Sequence, residues 1–177
     1  IWNLRASLHC PSFHTSRPGH MPGRFFLGRA MAAGTNLDDL IRDILARART
    51  IAVVGFSANP DRPSHGVARF LRSRGHRVIP VNPGLAGREF LGETVRASLA
   101  GIGEPVDMVD VFRRSEEVGR VVDQALALDP LPLAIWCQIG VRDDAAAERA
   151  RAAGIKVVQD RCPAVEIPRL RLPPLAG

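Results

Sequence analysis

Short runs of β-branched and other apolar residues alternate with longer amphipathic segments along most of this chain. The run from Ile51 to Val54 is typical: it is too short for a buried helix, and it ends at Gly55. Five such runs, separated by helical segments, predict an α/β fold with a doubly wound, mainly parallel five-stranded sheet and helices on both faces. The predicted strands are 51–54, 77–81, 106–112, 133–137 and 155–158.

Helical spacing of apolar residues marks the segments between these runs. Asn36 or Thr35 is expected to cap the first helix, and Ser115 is expected to cap the helix after the third strand. Glycines end several of the helices, Gly75 and Gly154 among them. The predicted helices are 37–48, 64–73, a short one at 94–100, 115–128 and 143–153.

Residues 1–30 differ from the rest in composition. They carry Arg, His and Pro but no acidic residue, and they have no apolar period, so we expect a disordered segment. An organellar leader and a non-native extension before Met31 are both consistent with this pattern, and the Arg-rich composition of the whole chain favours the extension. The predicted domain covers residues 31–168, and residues 169–177 form a Pro-rich tail.

The net charge of +6 does not indicate a nucleic-acid partner. Four of the positive charges lie in residues 1–30, the remainder of the chain is nearly balanced, and there is no Tyr to stack on bases. No apolar run reaches the roughly 18 residues of a membrane span. Three cysteines are too few, and odd in number, for a disulfide framework, so a reducing, cytoplasmic location is expected, with organellar targeting by residues 1–30 as the alternative.

The residues that follow each strand are the candidate site, because open parallel sheets bind ligands at the carboxyl ends of their strands. The first strand leads through a loop to a helix start, where glycine, small polar residues and free amides suit a phosphate. The loop departs from a dinucleotide fingerprint, since Ser57 and Pro60 stand where glycines are expected. The candidates here are Gly55, Phe56, Ser57, Asn59, Arg62, Ser64 and His65.

The later strands complete this edge. Asn82 and Pro83 follow the second strand, where an NAD site would carry an acidic residue for the ribose, which counts against NAD. Two guanidinium groups, those of Arg113 and Arg114, follow the third strand beside a helix start, a position that calls for an anion or an acid nearby. The further candidates are Phe112 and Arg113, then Trp136 and Gln138, and finally Cys162.

These segments together resemble the small CoA-binding protein family, which is similar to the N-terminal domain of the succinyl-CoA synthetase alpha subunit. The resemblance covers about residues 36–168 and implies a Rossmann-like domain that binds CoA or an acyl-CoA. It implies that the loop after Gly55 holds the phosphates, that Asn82 and Pro83 border the adenosine, and that Trp136, Gln138 and Cys162 flank the pantetheine arm. The motifs that carry it are 53–57, 59–60, 64–67, 78–83, 107–113, 136–138 and 160–163.

Three functions stay open. The first is non-catalytic binding of CoA or acyl-CoA; the sequence holds no catalytic or metal-binding constellation, and no counterpart of the synthetase's phosphorylated histidine. The second is an NAD(P)-linked oxidoreductase or redox sensor. The third is a protein-interaction module in which Phe56 and Trp136 would be exposed. The expected partner is a small CoA ligand, whereas self-association and an unidentified protein partner stay open.

Overall fold

The computed structural model describes residues 36–175, and the predictions for residues 1–30 lie outside them. Within this range the chain alternates helices and strands as the apolar pattern predicts. The elements are α1 (Leu37–Arg47), β1 (Thr50–Val54), α2 (Pro63–Ser73), β2 (Arg77–Val81), β3 (Glu89–Phe90), β4 (Glu93–Thr94), β5 (Met108–Val111), α3 (Ser115–Leu126), β6 (Ala134–Cys137), α4 (Asp144–Ala152), β7 (Lys156–Val158) and α5 (Pro163–Arg169).

Five of the strands form one parallel sheet in the order β2-β1-β5-β6-β7. Strand residues alternate between two cores: Ile51 and Val53 face the layer that contains α1, α2 and α5, whereas Ala52 and Val54 face α3 and α4. The predicted Rossmann-like α/β fold, with helices on both faces, is therefore confirmed. None of the helices in residues 36–175 is long and apolar enough to span a membrane.

Helix starts follow the predicted capping in one case and depart from it in another. The Asn36 side chain accepts a hydrogen bond from the Asp38 amide, so Asn36 caps α1 as expected. Ser115, however, is the first residue of α3 rather than its cap. Its hydroxyl accepts the Arg142 amide 3.0 Å away instead, and so ties the start of α3 to the segment before α4.

The helix predicted at 94–100 is wrong. Residues 89–94 form the antiparallel hairpin of β3 and β4, and a single 3₁₀ turn covers Leu99–Gly101. The Arg96 amide donates to the Pro80 carbonyl, and the Asn82 amide donates to the Arg96 carbonyl. These bonds to the outer edge of β2 hold the segment extended, and pairing with a distant strand thus overrides the local helical pattern.

The carboxyl-terminal segment contains a helix, α5, that the sequence reasoning missed. Pro163 at its first position was a usable signal, since proline is well suited to the first turn of a helix. Residues after α5 also pack on the domain: Leu170 is buried, and the Leu175 amide donates to the Arg74 carbonyl. The boundary proposed at residue 168 stays a prediction.

The sheet reverses its winding between β1 and β5. The chain leaves β1 toward β2 on one side, whereas β5 lies on the other side of β1. At this point Gly55 has φ +87°, and a Cβ added to it would lie 2.4 Å from the carbonyl oxygen of Phe112. The two loops therefore approach more closely than any side chain at position 55 would allow.

Gly55→Ala should destabilise the fold by about 2 to 4 kcal/mol, because it combines a strained positive φ with a backbone collision. Gly154→Ala is the matched control, since Gly154 has φ +89° with no atom within 4 Å of an added Cβ. The free energy of unfolding of the control variant should fall by only about 1 kcal/mol. Chemical denaturation of both variants checks this, and equal losses would show that the approach to Phe112 does not matter.

Candidate functional site

A cavity of about 850 Å³ lies at the carboxyl edge of the sheet, where β1, β5 and β6 end. Its size is in the range of small-molecule and cofactor sites. We call it the cleft. Most of the residues predicted from the sequence line it: Gly55, Phe56, Ser57, Arg62, Ser64, Asn82, Phe112, Arg113, Gln138 and Cys162.

The loop between β1 and α2 holds itself in place with short-range hydrogen bonds. The Ser57 amide donates to the Ser64 hydroxyl at 3.0 Å, and the Asn59 amide donates to the Ser57 hydroxyl at 3.2 Å. The α2 helix begins with no capping side chain and no acidic residue in its first turn. Its positive end therefore faces the cleft uncompensated by the protein, which favours an anion there.

Three arginines line the cleft on the segments after β1 and β5, and we call this part of the cleft the cationic end. Arg62 stands exposed just before α2, and Arg113 and Arg114 follow β5. Arg113 has one acidic neighbour, with a nitrogen of its guanidinium 4.0 Å from a Glu117 carboxylate oxygen. The acid expected near this helix start is therefore present, but at this distance it leaves the guanidinium able to bind a further anion.

A second cavity, of about 230 Å³, adjoins the first, and Arg113 lines both. We call it the side chamber. Pro83, Ser98 and Arg120 lie on its walls, between the end of β2 and α3. Pro83 was predicted as a border of the bound ligand, and it lies here rather than in the cleft.

The Asn82 side chain connects two loops at this edge of the sheet by hydrogen bonds. Its amide nitrogen donates to the Phe56 carbonyl at 2.6 Å, and its side-chain oxygen accepts the Gly84 amide at 2.8 Å. Both polar ends are thus engaged with the loops that follow β1 and β2. Asn82 lines the cleft mainly by shaping it.

We call the part of the cleft lined by the segments after β6 and β7 the uncharged end, because none of the residues that these segments contribute to the lining is charged. Gln138, Ile139, Val141 and Cys162 line it. Burial raises the pKa of the Cys162 thiol above its ordinary value. The thiol is therefore protonated at neutral pH, a poor state for a nucleophile.

A buried carboxyl group lies beside this end. Asp110 on β5 is fully buried, and its Oδ1 accepts a hydrogen bond from Gln138 Nε2 at 2.7 Å, whereas Oδ2 has no partner among residues 36–175. Burial raises the pKa of Asp110 to about 7, an effect that the Gln138 bond partly opposes. Sequence reasoning did not single out Asp110, although an acidic residue within the apolar run Met108 to Val111 is a usable signal.

Trp136 does not line the cleft, contrary to the prediction. It is fully buried, and its indole Nε1 donates to the Arg161 carbonyl at 2.7 Å. Strand alternation points it into the core on the side of α1, α2 and α5. Phe56 is also only 1% exposed, so the exposed aromatic pair expected for an interaction module is wrong.

Asn59 and His65 also lie outside the lining of the cleft. His65 packs instead against two aromatic rings, with its ring centroid 6.2 Å from that of Phe56 and 4.8 Å from that of Phe90. The cleft gains residues that the sequence reasoning did not include among the site residues. They are Pro63, Val67, Arg114, Ile139, Gly140 and Val141.

The side chains of residues 36–175 place no group of three or more His, Cys, Asp or Glu residues where they could hold a metal ion.

This chain is similar to a curated bacterial protein and to a solved structure. The chain is 40% identical over 122 residues to the uncharacterized protein YneT of Bacillus subtilis, a match that covers 69% of this chain and 87% of that protein. A solved Thermus thermophilus structure, cell-free ID.343, is 44% identical with a TM-score of 0.71, and the match covers 75% of this chain and 98% of that one.

A more distant structure shares the fold alone. It is a dinucleotide-forming acetyl-coenzyme A synthetase of Candidatus Korarchaeum cryptofilum, 22% identical with a TM-score of 0.55, and the match covers 66% of this chain and 27% of that one. The family model described as CoA binding domain matches residues 49–168, which include every segment that lines the cleft. This chain is therefore a member of the CoA-binding domain family.

Proposed function

We propose that the cleft binds coenzyme A or an acyl-CoA, and that the domain is a binder rather than a catalyst. The observation that carries the proposal is the origin of the lining residues: the segments after β1 and β5 contribute three arginines, whereas the segments after β6 and β7 contribute only uncharged residues. CoA has a corresponding division, with a diphosphate and a 3′-phosphate at one end and an uncharged pantetheine arm at the other. Membership of the CoA-binding domain family supports this ligand class.

The cationic end suits the phosphates. Arg62 directly precedes the uncapped start of α2, and Arg113 and Arg114 line the same cleft, so guanidinium groups and the amides of a helix start are available to one ligand. Arg113 also borders the side chamber, whose other walls include Pro83 and Arg120. The adenosine and its 3′-phosphate would occupy this chamber, with Arg113 between the two phosphate groups.

The uncharged end suits the pantetheine arm and offers little for covalent chemistry. Two thiols lie near it, and burial raises the pKa of Cys137 to about 12 and that of Cys162 above its ordinary value. Neither is a thiolate at neutral pH, so neither is prepared to attack a thioester. These observations favour binding without turnover, and the acyl group is left open.

Calorimetric titration of the 177-residue chain with CoA, dephospho-CoA and NADP should rank CoA first. Removal of the 3′-phosphate should weaken binding by about tenfold or more, because it removes a contact to a charged group. Protein from which bound ligand has been stripped is the required starting material. Tighter binding of NADP than of CoA would contradict the proposal and favour the oxidoreductase alternative.

Arg113→Ala should weaken CoA binding by about tenfold or more and leave the unfolding transition nearly unchanged, because the side chain lies between two cavities and not in a core. Arg142→Ala is the matched control, since Arg142 is an exposed arginine paired with Asp144. It should bind CoA like the wild type. Equal affinity for all three proteins would remove Arg113 from the site.

A further inference from the structure

Asp110 is a buried acid whose one recorded hydrogen-bond partner within residues 36–175 is a residue of the cleft. Its carboxyl has no exposed surface, Oδ1 accepts from Gln138 Nε2 at 2.7 Å, and Oδ2 is unpartnered. Gln138 itself is 7% exposed and lines the uncharged end of the cleft. A buried acid without full hydrogen bonding is costly, so its presence under a ligand cavity calls for a function.

Within residues 36–175, Gln138 is the residue that has a recorded hydrogen bond to Asp110. Its neighbours across the sheet are Val53 on β1 and Trp136 on β6. The buried positions of α1 and α2 are apolar except for Ser64, whose hydroxyl accepts the Ser57 amide.

The other titratable groups near Asp110 have partners of their own, are protonated at neutral pH or lie on the other face of the sheet. On the α5 side, Glu166 is paired with Arg169 at 2.6 Å and Arg161 at 3.8 Å, and the Cys162 thiol is protonated at neutral pH. The Cys137 side chain lies in the core on the other face of the sheet, and Asp143 caps α4 there. Burial raises the pKa of Asp110 to about 7, so this group changes its charge near neutral pH.

The charge of Asp110 dictates which end of the Gln138 amide faces the ligand. An ionised carboxylate has only acceptors, so only the amide nitrogen of Gln138 can face it, which leaves the amide oxygen for the cleft. A protonated carboxyl can instead donate to that oxygen, which would turn the amide nitrogen toward the cleft. The recorded contact, Nε2 to Oδ1, is the arrangement that the ionised form requires, and a protonated carboxyl can also adopt it through its carbonyl oxygen.

We propose that Asp110 is a positioning residue that orients the Gln138 amide, so that the uncharged end of the cleft presents an oxygen acceptor to the N–H of an amide-bearing ligand arm. This inference rests on the proposed function, in which the pantetheine arm, with its two amide groups, lies at this end. It adds a pH-sensitive step to recognition of the arm. Binding of the phosphate-bearing end does not depend on it.

The test compares CoA with adenosine 3′,5′-bisphosphate, which lacks the pantetheine arm, by titration of the full chain at pH 6 and pH 8. The ratio of the two affinities isolates the arm, because protonation of phosphates affects both ligands. In the wild type, the ratio of the affinity for CoA to the affinity for the bisphosphate should rise about fivefold from pH 6 to pH 8, the equivalent of one hydrogen bond. Asp110→Asn should remove this dependence, since an asparagine can face either end of the Gln138 amide.

Gln138→Leu is the second variant and does not depend on burial of an altered acid. At pH 8 it should weaken CoA binding about fivefold and leave bisphosphate binding unchanged. A ratio that does not change with pH in the wild type, or a pH dependence that persists in Asp110→Asn, would overturn the inference while CoA binding stands. If neither ligand binds, the proposed function fails, and this inference fails with it.

Unfolding measurements give an independent reading of the same group. Between the ordinary aspartate pKa and about 7, folded Asp110 keeps a proton that the unfolded chain has lost, so stability should fall as the pH rises through this window. The unfolding equilibrium constant of the wild type should rise, relative to Asp110→Asn, by up to about tenfold per pH unit. If the stability of the two proteins changes with pH in parallel, Asp110 is ionised throughout this window. That result would overturn the inference that its charge changes near neutral pH.

Discussion

The close approach of the loops after β1 and β5 is the constraint on which the site depends. A Cβ on Gly55 would lie 2.4 Å from the Phe112 carbonyl oxygen. The same Cβ would lie 3.2 Å from Cδ of Arg113. Contact between the two loops places the Arg113 side chain over the glycine. A side chain at position 55 would collide with this loop, so the place of Arg113 in the cleft depends on the glycine.

The polar groups around this contact divide into those that build the cleft and those that face into it. Both ends of the Asn82 side-chain amide form hydrogen bonds to neighbouring loops. The Ser64 hydroxyl accepts a hydrogen bond from the Ser57 amide. Arg62 and Arg114 are exposed at the cationic end. Rigid support from neutral side chains thus leaves the charged groups free to meet a ligand, an arrangement that lowers the ordering cost of binding.

The opposite end of the cleft relies on burial instead of charge. Trp136 fills the core beneath it and holds the Arg161 carbonyl, which fixes the segment that leads to Cys162. Burial keeps the nearby thiols protonated and holds Asp110 close to its titration point. The same low-polarity environment therefore suppresses cysteine chemistry and makes one carboxyl group sensitive to pH.

The sequence by itself determined the order of the five sheet strands and of helices α1 to α4, and it predicted the carboxyl edge of the sheet as the ligand site. Apolar periodicity and glycine positions are local signals, and they located β1, Gly55 and the loop that follows it. The tertiary structure decided what depends on distant partners: the extended path of residues 94–96 beside β2, the burial of Trp136, and the pairing of Asp110 with Gln138. Those outcomes follow from hydrogen bonds and packing between residues far apart in the chain, which no local pattern records.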